Sequence, residues 1–306
     1  MTPAISIIIP AYNAEKTLQR CLNSIVAQSF QDFEVFIIND GSKDATGQIA
    51  DGYASQDSRF IVLHKKNGGV AAARQDGIEQ VRGEYTLFVD ADDYILPDML
   101  QRMHQSAIQE KADLVICDFN LIRGSQVEYW KQQPASLKWE QLLGAMFYLC
   151  PLWNKLIRTS CFKEPGIRFI EGINAGEDHL FILKVLACNP KINAAYVGEA
   201  FYQYDLTQNT GSITNTGITA KQRLLPLVLF QKEYDVSPAQ AAFDNAVLHI
   251  AYDYLKRPDL SPNFKQDFGP FKKNILAAKG FPLHVKALVM LKLFGVSIPI
   301  NRLRCN

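Results

Sequence analysis

Short apolar runs alternate with helical repeats over the first 120 residues of the chain. β-branched and aromatic residues dominate each run, which is typical of strands buried on both faces of a parallel sheet. Apolar residues recur between the runs at the spacing of one helix face, as at Leu18, Cys21, Leu22 and Ile25. The pattern predicts strands at 5–9, 33–38, 60–63, 85–89 and 114–117, and a second helix at 70–81. Such alternation indicates a doubly wound α/β sheet.

The pattern changes twice further along the chain. Residues 121–220 combine aromatic residues with clusters of Gly and Asn, and we expect loops and helices that cover one edge of the sheet. From about residue 221 the pattern is mainly helical and is interrupted by prolines. The chain is therefore expected to have three parts, divided near residues 120 and 220.

Composition narrows the class of protein. The 306 residues include 32 Lys and Arg against 31 Asp and Glu, so no overall field would attract nucleic acid, and no such partner is expected. The N-terminus does not resemble a secretory signal, and no apolar run reaches the roughly 18 residues of a membrane span. The six cysteines form no C-x-x-C pair, which favours buried, reduced thiols. These features predict a cytoplasmic protein.

Polar or small residues follow each of the first four predicted strands. The four segments are Pro10-Ala11-Tyr12-Asn13, Asn39-Asp40-Gly41-Ser42, Asn67-Gly68-Gly69 and Asp90-Ala91-Asp92-Asp93. Because the carboxyl ends of parallel strands meet at one edge of a sheet, we expect these segments to line a common cleft. Carboxylate oxygens are preferred ligands of Mg²⁺ and Mn²⁺, which can bridge a carboxylate to a diphosphate.

Each segment also has a simpler interpretation. The acidic cluster could be a solvated turn that caps a helix beginning near Pro97. Tyr12 could be a rim aromatic residue, Asp40 a turn residue before a glycine, and Arg74 a solvated charge on a helix face. Their order along the chain and their common location favour a binding site over these alternatives.

Four segments resemble, in order, the motifs of family 2 glycosyltransferases with the GT-A fold. They read PAYNAEKTLQRCLNSIVAQSF, FIINDGSKD, NGGVAAARQDGI and YTLFVDADDYILPDML. Three later segments, LWNKLIR, GINAGEDHLF and residues 204–212, resemble the bacterial polysaccharide and lipopolysaccharide branch of that family. The resemblance implies a nucleotide-sugar-binding half at 1–120 and an acceptor-binding half of the same domain at 121–220. A helical region with a basic amphipathic tail follows at 221–306.

The resemblance assigns roles at the matching positions. Pro10 and Tyr12 should frame the nucleobase, and Asp40 should hydrogen-bond its edge. Asp90 should contact the ribose, and Asp92 should hold the Mn²⁺ or Mg²⁺ ion. The remaining assignments are Arg74 near the diphosphate or ribose, Asn13, Asn67, Gly69 and Ala91 on the nucleotide, Asp178 as the general base, and Trp153, Glu177 and His179 on the acceptor side.

The implied reaction is inverting, metal-dependent transfer of one sugar from a nucleotide diphosphate sugar to a hydroxyl of a glycan or a lipid-linked acceptor. The family favours a uracil nucleotide. The Q-x-x-R-W motif of processive synthases is absent, so one sugar is expected per encounter. Gln75 follows Arg74 where Asn is usual, and the basic residue often seen between Tyr204 and Ser212 is missing. These departures affect the expected acceptor contacts more than the donor site.

Other functions fit the sequence less well. A dinucleotide-dependent oxidoreductase needs G-x-G-x-x-G after the first strand, where this chain has Pro10-Ala11-Tyr12-Asn13. A sugar nucleotidyltransferase needs a glycine-rich loop with a basic catalytic residue near the N-terminus, and the sequence shows no such loop there. A non-catalytic nucleotide-sugar-binding component of a polysaccharide assembly complex remains the alternative. Asp178 itself could serve only as a first-turn acid that favours the helix dipole.

The end of the chain is basic and apolar. Residues 268–306 contain seven Lys or Arg and no Asp or Glu, and 285–294 are apolar apart from two lysines. This combination predicts peripheral contact with the inner face of the cytoplasmic membrane through residues 280–306. The alternative is a helix that packs on the domain.

Overall fold

The described residues of the chain form nine strands of one mixed sheet. The structure is a computed structural model that describes residues 2–147, 149, 151–164, 166–207, 218–257, 259–279 and 281–296. The strands are β1 (Ile5–Ala11), β2 (Phe33–Asn39), β3 (Phe60–His64), β4 (Tyr85–Phe88), β5 (Tyr94–Ile95), β6 (Leu114–Arg123), β7 (Gln126–Trp130), β8 (Lys155–Arg158) and β9 (Ala194–Asp205). Their order is β3-β2-β1-β4-β8-β6-β9-β5, and β7 pairs with β6.

Helices cover the sheet and form the C-terminal region. They are α1 (Leu18–Val26), α2 (Thr46–Gln56), α3 (Val70–Gln80), α4 (Met99–Gln109), α5 (Trp139–Met146), α6 (Glu177–Cys188), α7 (Ala220–Glu233), α8 (Gln240–Leu255), α9 (Phe264–Phe268), α10 (Lys272–Ala277) and α11 (Leu283–Leu293). Short 3-10 helices lie at Thr159–Phe162, Ser237–Ala239 and Gly269–Phe271. Every helix in the described ranges is too short or too polar to cross a bilayer.

The sheet separates two hydrophobic cores, as the predicted doubly wound architecture requires. Successive side chains of a strand point to opposite faces, so Ile8 joins one core while Ile7 and Ile9 join the other. One core contains α1 and α4, and the other contains α3, α5, α6 and the C-terminal helices. The prediction of an α/β fold with a mainly helical C-terminal region is confirmed.

The parallel part of the sheet follows the sequence pattern closely. β1 pairs in parallel with β2 and β4, and β2 pairs in parallel with β3. All seven residues of β2 are buried, and six of the seven in β1. The turns after these strands therefore meet at one edge of the sheet.

The prediction of loops and helices for residues 121–220 holds for α5 and α6 but misses several strands. This segment supplies β7, β8, β9 and the end of β6. β8 lies antiparallel between β4 and β6, and β9 runs parallel to β6 with register shifts around Asp118. The two expected halves therefore share one sheet, and their boundaries stay a prediction.

Three cysteines bear out the predicted buried thiols, and one does not. Cys21, Cys117 and Cys161 are buried and form no disulfide among the described residues, whereas Cys188 is exposed at the end of α6. Cys150 and Cys305 lie outside the described residues.

Candidate active site

Three carboxylates gather in the turn after β4. Asp90, Asp92 and Asp93 each have a carboxylate oxygen within 4.8 Å of the others. Asp93 is fully buried and accepts hydrogen bonds from Tyr202 Oη at 2.7 Å and from Asp205 N at 2.9 Å. Burial, together with the neighbouring carboxylates, raises the pKa of Asp93 well above its ordinary value. Asp93 therefore fastens the turn to β9.

Two further contacts fix the backbone of this turn. Tyr202 Oη accepts a hydrogen bond from Asp90 N at 3.1 Å. Arg20 on α1 donates to Asp92 O at 2.7 Å and to the carboxylate of Asp205, and its guanidinium lies 4.8 Å from the centre of the Tyr94 ring. The Asp90 and Asp92 side chains are half-buried on this turn. Such a set of hard oxygen donors fits Mg²⁺ or Mn²⁺.

A buried arginine connects this turn to α6. Arg74 on α3 is 4% exposed and donates to Asp90 Oδ1 at 2.8 Å and to Glu177 Oε1. Burial acts to lower the pKa of Arg74, but the surrounding carboxylates, Asp178 included, raise it overall, so the side chain stays charged. One guanidinium thus holds the first turn of α6 against the acidic turn.

The first turn of α6 carries three candidate residues with different surroundings. Burial and the Asp178 charge raise the pKa of Glu177, the Arg74 charge opposes them, and together these effects place the pKa at about 7. Asp178 is half-buried, and its Oδ1 accepts from His179 N at 2.7 Å. Burial lowers the pKa of His179 to about 3, so this ring is neutral at physiological pH. Its Nε2 has no hydrogen-bond partner among the described residues. Asp178 is therefore the accessible acid of this turn.

The Asp40 carboxylate organises the loop before α3. It accepts from Gly68 N at 2.9 Å and from Gly69 N at 2.8 Å, and Asn67 Nδ2 donates to Asp40 O at 3.0 Å. Gly69 has φ +86°, and a Cβ there would lie 2.4 Å from Asn174 Oδ1. Asp40 keeps spare acceptor capacity, since a carboxylate offers about four lone-pair positions. Its predicted contact with the base edge stays a prediction.

The segment after β1 presents an aromatic ring to solvent. Tyr12 is 53% exposed, and Pro10 and Ala11 precede it at the end of the strand. Asn13 adopts φ +48° and ties this segment to the turn after β2, because its Oδ1 accepts from Lys43 N at 2.8 Å. Ala91 is buried within the acidic turn. Asn13 and Ala91 therefore shape the rim, and their nucleotide contacts stay predictions.

Trp153 lies beneath the site. Its ring is 7% exposed and stacks on Tyr202 at 4.2 Å and on Tyr204 at 5.5 Å between centroids. This packing supports the tyrosine whose hydroxyl holds the acidic turn. A contact between Trp153 and an acceptor stays a prediction.

Sequence reasoning missed three residues of this arrangement: Arg20, Tyr202 and Asp205. Tyr202 and Asp205 lie on β9, which the pattern did not predict. Arg20 lies on a correctly predicted helix, but no spacing relates it to Asp92, 72 residues away.

Comparison with known proteins identifies one family. The profile of the family described as Glycosyl transferase family 2 matches residues 6–164, more than half of the chain. The chain is 34% identical over 223 residues to the uncharacterized glycosyltransferase EpsJ of Bacillus subtilis, covering 70% of this chain and 64% of the relative. It is 45% identical over 179 residues to the putative glycosyltransferase EpsH of the same organism, covering 55% and 51%. The matches therefore span less than two thirds of these relatives.

A solved structure has the same architecture. S. aureus TarS 1-349 in complex with UDP-GlcNAc superposes with a TM-score of 0.69 and 25% sequence identity, covering 94% of this chain and 84% of that chain. The likeness confirms the GT-A type of fold.

Proposed function

The chain belongs to glycosyl transferase family 2, and from that premise we propose that it is an inverting, metal-dependent, non-processive glycosyltransferase. It moves a sugar from a nucleotide diphosphate sugar to a hydroxyl acceptor. One observation carries the proposal: Arg74 binds both Asp90 and Glu177, so the acidic turn and the first turn of α6 meet at one guanidinium. An inverting transfer needs the group that holds the leaving diphosphate and the base that activates the acceptor to lie close together, on opposite sides of the sugar.

The donor is a uracil nucleotide sugar, held at the ends of β1 and β2. The exposed ring of Tyr12 offers a stacking surface for a base, and Asp40 lies in the adjacent turn. The similar TarS structure carries UDP-GlcNAc, which makes this compound the first donor to test.

Asp92, with Asp90, would hold Mn²⁺ or Mg²⁺. When bound, the ion supplies positive charge that stabilises the leaving diphosphate. The protein fixes the backbone that carries these two carboxylates through Arg20 on the Asp92 carbonyl and Tyr202 on the Asp90 amide.

Asp178 takes the proton of the acceptor hydroxyl. The acceptor oxygen forms a bond to C1 of the sugar while the bond from C1 to the diphosphate oxygen breaks on the opposite side, which inverts the configuration. Glu177 is less suited because it is paired with Arg74. His179 is less suited because burial lowers its pKa to about 3, which makes the ring a weak base.

The acceptor is a glycan or a lipid-linked sugar in capsule, exopolysaccharide or lipopolysaccharide synthesis, and the reaction takes place at the inner face of the cytoplasmic membrane. The branch-specific segments of the sequence support this acceptor class.

Release of nucleoside diphosphate tests the proposal. The assay supplies UDP-GlcNAc and other nucleotide sugars, a panel of glycan acceptors, and Mn²⁺, Mg²⁺ or EDTA. We expect Asp92→Ala to abolish metal-dependent turnover, because the ion loses a ligand. Asp98→Ala is the matched control, since Asp98 is an exposed acid six positions further along.

Two outcomes count against the proposal. Full turnover in EDTA removes the metal assignment. Metal-dependent donor binding without nucleoside diphosphate release, across the whole acceptor panel, favours the non-catalytic sugar-nucleotide-binding component instead.

A further inference from the structure

The last described helix, α11, has apolar residues on two opposite faces. Val285, Val289 and Leu293 are buried against the C-terminal core. Leu283, Ala287 and Leu291 repeat with the same spacing of four, and Phe294 continues their row at the end of the helix. A helix turns about 100° per residue, so this second row lies roughly opposite the first. We call Leu283, Ala287, Leu291 and Phe294 the outer stripe.

The outer stripe is open to solvent. Leu283 is 81% exposed, Leu291 45% and Phe294 68%. Leu276 on the adjoining α10 and Val296 after α11 are also exposed, at 58% and 44%. A helix that faces only water on one side normally carries polar residues there, so an apolar surface of this kind indicates a binding partner.

Lysines are the charged residues of the segment that carries the outer stripe. The described residues from 268 onward contain five lysines, Lys272, Lys273, Lys279, Lys286 and Lys292, and no Asp or Glu. Lys272 Nζ lies 5.1 Å from the centre of the Phe294 ring, and Lys286 Nζ donates to Leu276 O at 3.2 Å. The charged residues of the segment that carries the outer stripe are therefore all positive.

An open cavity of about 590 Å³ lies between α9 and Lys292 of α11. Lys265 and Lys292 line it together with the polar side chains of Asn263 and Gln266. Two cations and two amides are groups that bind phosphate oxygens.

We propose that the outer stripe and its lysines form a docking surface for an anionic lipid bilayer. The stripe enters the boundary between headgroups and acyl chains, and the lysines contact acidic headgroups. A second copy of this chain fits less well, because symmetric pairing of the stripe would bring lysines against lysines. This inference does not depend on the sugar transfer, since it concerns binding alone.

Flotation of the full chain with vesicles tests the surface. One set of vesicles contains phosphatidylcholine alone, and the other also contains phosphatidylglycerol. We expect binding to the second set, and we expect Leu283→Gln/Leu291→Gln to weaken it by more than about tenfold because two apolar anchors are lost. Ile108→Gln is the control, since Ile108 is 51% exposed on α4.

A second pair of variants tests the charges. Lys273→Gln and Lys279→Gln should each weaken binding roughly fivefold, and added salt should weaken the wild type in the same direction. Lys131→Gln and Lys191→Gln remove exposed lysines elsewhere on the molecule and should have no effect.

Three results would overturn the proposal. The first is a lack of binding to vesicles that contain phosphatidylglycerol. The second is binding that neither set of variants changes. The third is sedimentation showing that Leu283→Gln/Leu291→Gln dissociates a dimer, because the stripe would then cover a second copy. Circular dichroism of each variant confirms that the fold is retained.

Discussion

Neighbouring carboxylates at the start of α6 differ in what surrounds them. Glu177 is buried against Arg74, whereas Asp178 is half-buried beside it. We expect Asp178→Asn to lower the transfer rate on the order of 10² to 10⁴ while donor affinity stays near normal, because only proton removal is lost. Transfer rate and donor affinity, measured together, check this prediction.

Substitution of Glu177, the residue before Asp178, should affect stability and donor binding. Glu177→Gln removes one of the two carboxylates that hold Arg74, so we expect lower stability and weaker donor binding together. Glu171→Gln is the control, since Glu171 is exposed in the preceding loop. Near-normal transfer by Asp178→Asn, or a rate loss confined to Glu177→Gln, would contradict the assignment of the base.

His179 should make stability depend on pH. Burial lowers its folded pKa to about 3, and the ring titrates near its ordinary value of about 6.5 once the chain unfolds. Below that value the unfolded chain binds a proton that the folded chain does not, so the free energy of unfolding falls as pH falls. The loss attributable to this residue reaches roughly 2 kcal/mol at pH 5.

Denaturant unfolding at pH 7 and pH 5 measures that loss. His179→Gln should reduce the difference between the two pH values, whereas the exposed His284→Gln should retain it. An unchanged difference in His179→Gln would show that the ring takes up its proton in the folded state.

Individual site residues were predictable only where the motif itself carried them. The acidic cluster and its position after β4 could be predicted, but Asp93 could not be separated from Asp92. What distinguishes Asp93 is its bonds to Tyr202 and to the Asp205 amide, both more than 100 positions away. The pairing of Arg74 with Glu177, 103 positions apart, also has no local signal.

At the scale of elements, the start of α6 depends on a contact with α7. Gly176 adopts φ +78°, and a Cβ at this position would lie 2.8 Å from Pro226 Cγ. We expect Gly176→Ala to destabilise the protein by about 2 to 4 kcal/mol, through backbone strain and overpacking. It should also slow transfer, since the first turn of α6 would move.

Substitution of a second glycine, Gly172, separates the cost of backbone strain from the cost of overpacking. Gly172 has φ +84°, and no other atom of the described residues lies within 4 Å of where its Cβ would be, so Gly172→Ala should cost only the strain, about 1 to 2 kcal/mol. Equal losses of unfolding free energy in the two variants would show that the Pro226 contact contributes nothing.

Strands were predictable where the run of apolar residues is continuous, even in β3, of which only one residue in five is buried. The first four strands and β6 consist of apolar runs that the pattern identifies. β7 is exposed at all five positions, and β8 has only four residues, so neither has a distinct hydrophobic period. β9 mixes buried and partly exposed positions irregularly along 12 residues. These strands form because the long strand β6 offers partners, a property of the sheet and not of the local sequence.

At the scale of the whole molecule, one core joins the sheet to the C-terminal helices. Ile8 and Phe88 of the sheet belong to the same cluster of buried residues as Phe243 of α8 and Val289 of α11. We therefore expect the described parts of the chain to unfold in a single transition. The midpoint of unfolding should be the same whichever part of the molecule is observed.

Two spectroscopic signals check this expectation. Tryptophan fluorescence reports Trp130, Trp139 and Trp153, all of which precede the C-terminal helices. Far-ultraviolet circular dichroism is weighted towards helices, including α7 and α8. Separate midpoints for the two signals would show that the C-terminal helices form an independent unit.

The position of β8 has a consequence for how such proteins diversify. Four residues from the second half of the chain are inserted between β4 and β6, with hydrogen bonds to both neighbours. A recombination event that exchanged everything after residue 120 would place a foreign strand between two inherited ones. New acceptor specificities should therefore arise in this lineage by point changes and loop insertions around a retained sheet, and crossovers at that boundary should be selected against.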